Sequence, residues 1–225
     1  MSFLRRRGYL PHLEHPNSTY FVTFRLIGSI PHKVVESWKA ERKEIREEAE
    51  RHGRPLSKHE QTRLKRLFSA RTEKYLDQLY GECWLKNPVI AEIVLNALKY
   101  FDGTRYRLHA WCVMPNHVHV VFTTLPTGAE LQSHLIPILH SWKSYTAHRA
   151  NKVLRRVGPF WQDEYYDRLI RSDNELAHYI HYTLQNPVKA NLSEDWKEWA
   201  WSGCSEKVRR FLNGQPLAGG TPAPQ

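Results

Sequence analysis

Cysteine and long apolar runs are both scarce in this chain of 225 residues. The three cysteines, Cys83, Cys112 and Cys204, are odd in number and far apart, so they form neither a disulfide framework nor a zinc-type CxxC pair. No apolar run approaches the ~20 residues that a membrane-spanning helix needs. An arginine triplet lies near the N-terminus, but no apolar stretch follows it, so we expect no signal peptide. These absences predict a cytoplasmic protein with no membrane partner.

The charge balance is strongly basic. Lys and Arg number 33 against 23 Asp and Glu, which gives a net charge of +10 at pH 7. This excess favours a polyanionic partner, either nucleic acid or an anionic membrane, although an ordinary protein with a basic surface has the same charge. Hydrophobic residues make up 41% of the chain, enough to bury a core. We expect one domain over residues 1–213 and a disordered Gly-, Pro- and Ala-rich tail over residues 214–225.

The order of predicted elements indicates the fold class. Apolar periodicity and turn residues predict strand, helix, strand, strand, helix and strand, followed by one more helix. The first six elements match a ferredoxin-like split βαβ plan, which predicts an α+β fold with an antiparallel sheet. The last helix starts at the capping box Ser172-x-x-Glu175 and is expected to end near Asn186, because Pro187 disfavours helical geometry in the residue before it. The predicted strands lie within residues 18–26, 106–114, 117–124 and 165–170, and the first core helix begins at Pro88.

The segment over residues 32–80 is strongly charged. Gly53-Arg54-Pro55 divides it into two helical halves, and the second half carries apolar residues such as Leu64 and Leu76 at helical spacing. This pattern predicts a helical hairpin that is inserted into the core or appended to it. Its charges are more typical of a solvated face than of a binding site.

The sharpest local signal is the sequence His117-Val118-His119 inside a predicted strand. Because successive strand side chains alternate between faces, His117 and His119 share one face while Val118 and Val120 share the other. Two imidazoles on neighbouring positions of one face can bind a metal ion or a phosphate. Motifs this short also recur by accident, so two partly exposed strand histidines in a chain with 13 His are the alternative.

The last predicted helix carries a second polar group. Ile180 and Leu184 recur at helical spacing and are expected to face the core, whereas Tyr182 lies about 200° from Ile180 on the helical wheel. Asn186 follows Tyr182 by one turn. A surface tyrosine above a helix-terminal asparagine is the alternative interpretation.

The two groups are chemically complementary. Two imidazole nitrogens and an amide oxygen leave positions open on a divalent ion, and phosphate oxygens can fill them. A tyrosine nearby is suited to attack phosphorus and to hold a DNA strand covalently. Mixed nitrogen and oxygen ligands suit Mn²⁺, whereas Mg²⁺ sites prefer oxygen ligands, so we expect one of these two ions rather than zinc.

At these residues the chain resembles the REP-associated tyrosine transposases of the HUH endonuclease superfamily. Several motifs occur in the family's order between about Tyr9 and Ser202. Where many members have Gly after a Lys-Ala pair, this chain has Asn191, which also tolerates the left-handed conformation. The motifs are WCVMPNHVHVVF over residues 111–122, HSWKSYTA over 140–147, FWQDEYYDRLIR over 160–171 and YTLQNPVKAN over 182–191.

The resemblance implies a ferredoxin-like nuclease core in which His117, His119 and Asn186 hold a divalent metal and Tyr182 is the nucleophile. Related members look like enzymes that cut and rejoin single-stranded DNA beside hairpins, through a 5′-phosphotyrosine and a free 3′-OH. The implied partner is therefore single-stranded DNA with a hairpin, bound by a monomer or a homodimer. The charged segment over residues 32–80 has no place in this account.

Basic residues are predicted to position the DNA through phosphate contacts. One group lies near the N-terminus, where it is expected to act as a flexible arm, and the other lies along and just beyond the Trp142 helix. The first group is Arg5, Arg6 and Arg7, and the second is Lys143, Arg149, Lys152, Arg155 and Arg156.

Two other functions fit parts of the pattern. A binding protein of the same fold would recognise hairpin DNA without significant cleavage, although the intact His-x-His and Tyr–Asn pairs argue against a loss of chemistry. A metal-dependent hydrolase would use His117 and His119 with a bound water, would not need Tyr182 and would form no covalent adduct.

Overall fold

The computed structural model describes residues 3–7, 10–14, 17–68, 70–126 and 134–214. Within these ranges, a five-stranded antiparallel sheet has helices packed on both faces, and a separate two-stranded sheet precedes it. The strands are β1 (Phe3–Arg7), β2 (Leu10–Glu14), β3 (Thr19–Arg25), β4 (Tyr106–Val113), β5 (His117–Thr124), β6 (Tyr166–Ile170) and β7 (Ser202–Cys204). The helices are α1 (His32–Arg51), α2 (Lys58–Phe68), α3 (Ala70–Asp77), α4 (Pro88–Tyr100), α5 (Leu135–Val153), α6 (Asp173–Lys189) and α7 (Glu206–Leu212).

The order of strands in the large sheet is β6-β3-β5-β4-β7, with every neighbouring pair antiparallel. Without the edge strand β7, the connections β3-α4-β4-β5-α5-β6 give the ferredoxin-like arrangement. The predicted α+β class and antiparallel sheet are therefore confirmed. Strand β5 lies at the centre of this sheet, between β3 and β4.

The two faces of the central strand have different partners. Val118, Val120 and Phe122 of β5 pack into a core formed with α4 and α5. Val121 instead packs with Phe21 against α6. Because side chains alternate along a strand, His117 and His119 lie on the α6 side with Val121. The alternation predicted for β5 thus directs both histidines towards the helix that carries Tyr182.

Side-chain caps begin helices α4 and α6 where the sequence predicts them. The Asn87 side chain accepts a hydrogen bond from the Val89 N–H at 3.0 Å, with Pro88 in the first helical position. Ser172 caps α6 by accepting from the Glu175 N–H at 3.2 Å. These caps fix the start of α6, and with it the helical phase of Tyr182.

The predicted end of α6 is wrong by about one turn. The helix does not end near Asn186 but continues to Lys189, with Pro187 inside its last turn. Pro187 has no N–H to donate to the preceding turn, so it removes one hydrogen bond. Asn186 and Pro187 are both buried, and their packing outweighs that local preference. The extra turn places Lys189 on the helix.

The charged segment folds into α1, α2 and α3, and it has a small apolar core of its own. Trp38, Ile45 and Leu76 are buried together with Ile30. The charged side chains form many short-range ion pairs on its surface, such as Lys43 with Glu47 at 3.5 Å. Its last helix, α3, approaches α6, where Asp77 pairs with Lys189.

At the N-terminus, the structure does not show the flexible arm expected for Arg5, Arg6 and Arg7. Their backbone belongs to β1, where Arg5 pairs with His12 and Arg7 with Leu10 of β2. Strand pairing satisfies the backbone groups that a free arm would leave to water. Of the predicted disordered tail, only Gly214 lies within the described residues.

The described helices include none with the length and apolar character needed to cross a membrane.

Candidate active site

The two histidines of β5 converge on one point. His117 and His119 have relative exposures of 0% and 1%, and their Nε2 atoms lie 2.9 Å apart. The rings are nearly perpendicular, with an interplanar angle of 81° and centroids 4.6 Å apart. The alternative of partly exposed strand histidines therefore does not hold, because both rings are buried and point at each other.

Each imidazole is held at its other nitrogen. Nδ1 of His117 lies 2.7 Å from Oδ1 of Asn116, and Nδ1 of His119 lies 2.8 Å from the hydroxyl of Thr23. The Asn116 amide is itself oriented, because its Nδ2 donates to the Tyr80 carbonyl at 3.1 Å. Oδ1 must then accept from the Nδ1–H of His117, which leaves a lone pair on Nε2. A buried nitrogen lone pair that faces a second imidazole nitrogen is suited to a bound cation.

Burial keeps both rings neutral. Burial lowers the pKa of His117 to about 3, with a smaller opposing effect from the nearby Asn186 amide. Burial also lowers the pKa of His119 well below its usual value, and the charges of His117 and Lys189 act in the same direction. Neutral imidazole is the form that binds metals, so the pair needs no deprotonation near pH 7.

Helix α6 brings the predicted nucleophile against this pair. The ring of Tyr182 lies edge-on to His119, with centroids 5.4 Å apart, and edge-on to Phe21 at 5.6 Å. Its hydroxyl is buried and has no hydrogen-bond partner of ordinary geometry among the described residues. Burial and the nearby Glu73 carboxylate raise the pKa of Tyr182, so the phenol stays protonated in the free protein.

Asn186, which lies on the same helix as Tyr182, is beside both imidazoles. It has 0% exposure, and among the described residues neither Oδ1 nor Nδ2 of its amide has a hydrogen-bond partner of ordinary geometry. An unpaired buried amide is costly, at roughly 1–3 kcal/mol for each group. The two imidazole nitrogens and this unpaired amide oxygen together form a donor set that fits a divalent ion.

No cluster of three or more His, Cys, Asp or Glu side chains suited to a metal occurs among the described residues. A metal bound by the two histidines would therefore need a further ligand of another kind, and the Asn186 amide lies beside both imidazoles.

Helix α3 of the charged segment borders the same site, which the sequence does not predict. The Asp77 carboxylate forms a 2.7 Å ion pair with Lys189, and Glu73 lies close to the Tyr182 hydroxyl. The Lys189 Nζ also lies 5.7 Å from the centre of the Tyr182 ring. One cation and two carboxylates therefore surround the phenol.

The predicted DNA contacts on α5 are not close to this site. Arg149 and Lys152 are exposed, but α5 packs on the sheet face opposite α6. Arg155, also exposed, adopts a φ of 51° just after the helix. Any strand that joins these cations to Tyr182 must pass around an edge of the sheet.

Two of the predicted DNA contacts have structural partners instead. Lys143 Nζ donates to the carbonyls of Gln162 and Asp163, both at 2.7 Å. The guanidinium of Arg156 stacks on Trp84 at 4.2 Å from the ring centre and donates to the Asn151 amide oxygen at 2.7 Å. For Arg5, Arg6 and Arg7 the structure describes only the backbone.

Sequence reasoning missed the residues that hold the histidines. Thr23 lies on β3 directly opposite His119 in the sheet register, a pairing that no single segment reveals. Asn116 immediately precedes His117 in the tight β4–β5 turn, and this adjacency was the one available signal. Asn191 has a φ of 54°, which is the left-handed conformation expected for it.

Comparison with known proteins finds similar sequences and a similar fold. Residues 82–183 match the sequence model of the family described as "Transposase IS200 like". A protein of Haemophilus influenzae, provisionally named a REP-associated tyrosine transposase, is 28% identical over 106 residues. The REP-associated tyrosine transposase of Escherichia coli strain K12 is 26% identical over 108 residues. The alignment with the Haemophilus protein covers 44% of this chain and 60% of the relative. The alignment with the Escherichia protein covers 48% of this chain and 59% of the relative, so the chain spans less than two thirds of the length of either one.

The solved structure of a REP-associated tyrosine transposase bound to a REP hairpin shares the fold. Its TM-score is 0.53 at 16% sequence identity, with 100% of this chain and 94% of that chain covered. The chain is therefore similar to the IS200-like transposases, in sequence over residues 82–183 and in fold. Within that class, the resemblance to the REP-associated tyrosine transposases that the sequence motifs indicate is confirmed.

Proposed function

We propose that this protein is a metal-dependent nuclease that cleaves and rejoins single-stranded DNA beside hairpins, with Tyr182 as the nucleophile. The observation that supports this most strongly is the convergence of four groups. The Nε2 atoms of His117 and His119 lie 2.9 Å apart, the Asn186 amide lies beside both imidazoles, and the ring of Tyr182 contacts His119 edge-on.

A divalent ion, Mg²⁺ or Mn²⁺, held by His117, His119 and Asn186 would polarise the phosphodiester and stabilise the charge that develops on it. The protein itself positions the reacting groups. Phe21 supports this arrangement, because it stacks on His119 at 5.5 Å and contacts Tyr182 edge-on at 5.6 Å. A phenol held in this way needs little reorganisation to attack a phosphate bound beside the imidazoles.

The chemical step balances without a further reactant. The Tyr182 oxygen forms a bond to phosphorus, and the bond from phosphorus to the 3′ oxygen breaks. The phenol loses one proton and the departing 3′ oxygen gains one, which leaves a 5′-phosphotyrosine and a free 3′-OH. Attack by a 3′-OH on the phosphotyrosine reverses these events and rejoins the DNA, so one residue serves both cleavage and joining.

The proposed substrate follows from likeness and charge. A relative of the same fold is described as bound to a REP hairpin, and this chain carries a net charge of +10. We therefore propose single-stranded DNA with a hairpin as the partner, with affinity that falls steeply as salt rises.

A covalent-trapping experiment tests the proposal. Protein, Mn²⁺ and labelled hairpin-bearing single strands are incubated and analysed on a denaturing gel. The Tyr182→Phe variant should lose both adduct and cleavage, while folding and strand binding persist, because Phe keeps the ring that packs edge-on against Phe21 and His119. Tyr179→Phe is the matched control, since Tyr179 lies on the same helix and stacks on Phe21 at 4.6 Å. It should keep the adduct.

The alternatives give different results in the same experiment. Cleavage by the wild-type protein without an adduct would indicate a hydrolase. Tight binding without cleavage in any divalent ion would indicate a hairpin-binding protein. An adduct that persists in Tyr182→Phe, or that mass spectrometry locates on another tyrosine, would show that the nucleophile is assigned wrongly.

A further inference from the structure

The ion pair between Lys189 and Asp77 joins the charged segment to the nucleophile helix. The Lys189 Nζ lies 2.7 Å from the Asp77 carboxylate. The Lys189 side chain is 52% exposed, so it stays accessible from solvent, whereas the Asp77 side chain is only 20% exposed. The pair therefore lies at the border between the site and solvent.

Lys189 belongs to the proposed site by its place on α6. Tyr182, Asn186 and Lys189 are four and three residues apart, so they lie on one face of the helix. The Lys189 Nζ is 5.7 Å from the centre of the Tyr182 ring. Its charge also acts on both His117 and His119, which places it within electrostatic reach of the imidazole pair.

The carboxylates of α3 occupy the surroundings in which a substrate phosphate would lie. Asp77 is paired with Lys189, and Glu73 lies close enough to Tyr182 to contribute to its raised pKa. A phosphodiester that is attacked by Tyr182 must approach the same phenol. The phosphate and these carboxylates are all anionic, so they compete for the ammonium group of Lys189.

We propose that Lys189 is a phosphate-binding residue of this site, and that Asp77 holds it until a backbone phosphate of single-stranded DNA replaces the carboxylate. This inference rests on the proposed function. The exchange replaces one anionic partner of Lys189 with another, so the lysine is never left unpaired. Partly exposed ion pairs are weak, whereas phosphate binding is favoured by the release of counterions from the DNA.

A purely structural role makes a different prediction. A lysine in the last turn of a helix interacts favourably with the helix dipole, and the pair with Asp77 would tie α3 to α6. Removal of either charge would then lower the melting temperature without changing DNA affinity. The affinity for DNA therefore separates the two roles.

The test measures binding of a fluorescein-labelled, hairpin-bearing single strand by anisotropy, in chelator so that no cleavage occurs. Lys189→Met should weaken binding several-fold and reduce the slope of log affinity against log salt by roughly 0.7. Asp77→Asn should tighten binding several-fold, because it frees Lys189. In the double variant, the Asp77 substitution should have no further effect beyond that of Lys189→Met alone.

Two controls make the comparison specific. Glu47→Gln removes the same charge from the same segment, at a carboxylate that pairs with Lys43 instead, and should leave affinity nearly unchanged. Lys189→Arg keeps the charge and should retain most of the affinity, with melting curves to confirm that each variant is folded.

The outcomes that contradict the proposal are distinct. Wild-type affinity in folded Lys189→Met would overturn it, as would an Asp77→Asn effect of equal size with and without Lys189. Failure of the wild-type protein to bind any single strand would instead contradict the proposed function, and this inference with it.

Discussion

Thr23 orients His119, because its hydroxyl lies 2.8 Å from Nδ1 of the imidazole. The contact crosses two paired strands, since Thr23 and His119 are directly opposite in the β3–β5 register. It fixes the plane of the ring and directs Nε2 towards His117. Metal-binding histidines are usually oriented by a hydrogen bond at the ring nitrogen that does not bind the metal.

Replacement of Thr23 by Val should therefore weaken metal binding without unfolding the protein. Val keeps the shape of the side chain but lacks the hydroxyl, so His119 loses its orientation. We expect the apparent dissociation constant for Mn²⁺ to rise by about 10–100-fold, as measured by calorimetric titration. Thr19→Val is the matched control on the same strand, because the Thr19 hydroxyl lies 2.7 Å from the Thr123 hydroxyl instead. Equal Mn²⁺ affinity in Thr23→Val and wild type would contradict this role.

Asn186→Leu should separate metal binding from stability. In chelator, the substitution removes two buried polar atoms that have no partner among the described residues, so the free energy of unfolding should stay level or rise by up to roughly 1–3 kcal/mol. Mn²⁺ should raise the melting temperature of the wild-type protein, because the ion binds only the folded state. That increase should be absent in Asn186→Leu. A normal Mn²⁺ response in this variant would exclude Asn186 as a ligand.

Lys143→Met should affect stability more than DNA binding, although the sequence predicts a phosphate contact. Lys143 donates to two loop carbonyls at 2.7 Å, and burial lowers its pKa to about 8. Loss of these charge-assisted bonds should cost about 1–2 kcal/mol of unfolding free energy, measured by urea denaturation. Lys152→Met, at an exposed position on the same helix, should leave stability unchanged. Weaker strand binding with unaltered stability in Lys143→Met would restore the predicted DNA contact.

Several features followed directly from local sequence. Alternation along β5 placed His117 and His119 on one face, and the capping box at Ser172 fixed the phase of α6 and so of Tyr182 and Asn186. Both patterns depend on short-range geometry, in which side chains repeat every two residues in a strand and every 3.6 in a helix. The end of α6 could not be predicted in this way, because Pro187 favours termination locally and only its burial in the folded chain overrides that preference.

The sequence by itself determined the fold class, the face of β5 that carries the histidines and the identity of the residues assigned to the proposed site. Only the tertiary structure decided what surrounds them. Thr23 meets His119 through sheet register, and Asp77 meets Lys189 through the packing of α3 near α6. The Lys143 ammonium group donates to two carbonyls of the loop after α5. These contacts join residues that are distant along the chain, and their formation depends on how whole elements pack rather than on any local pattern.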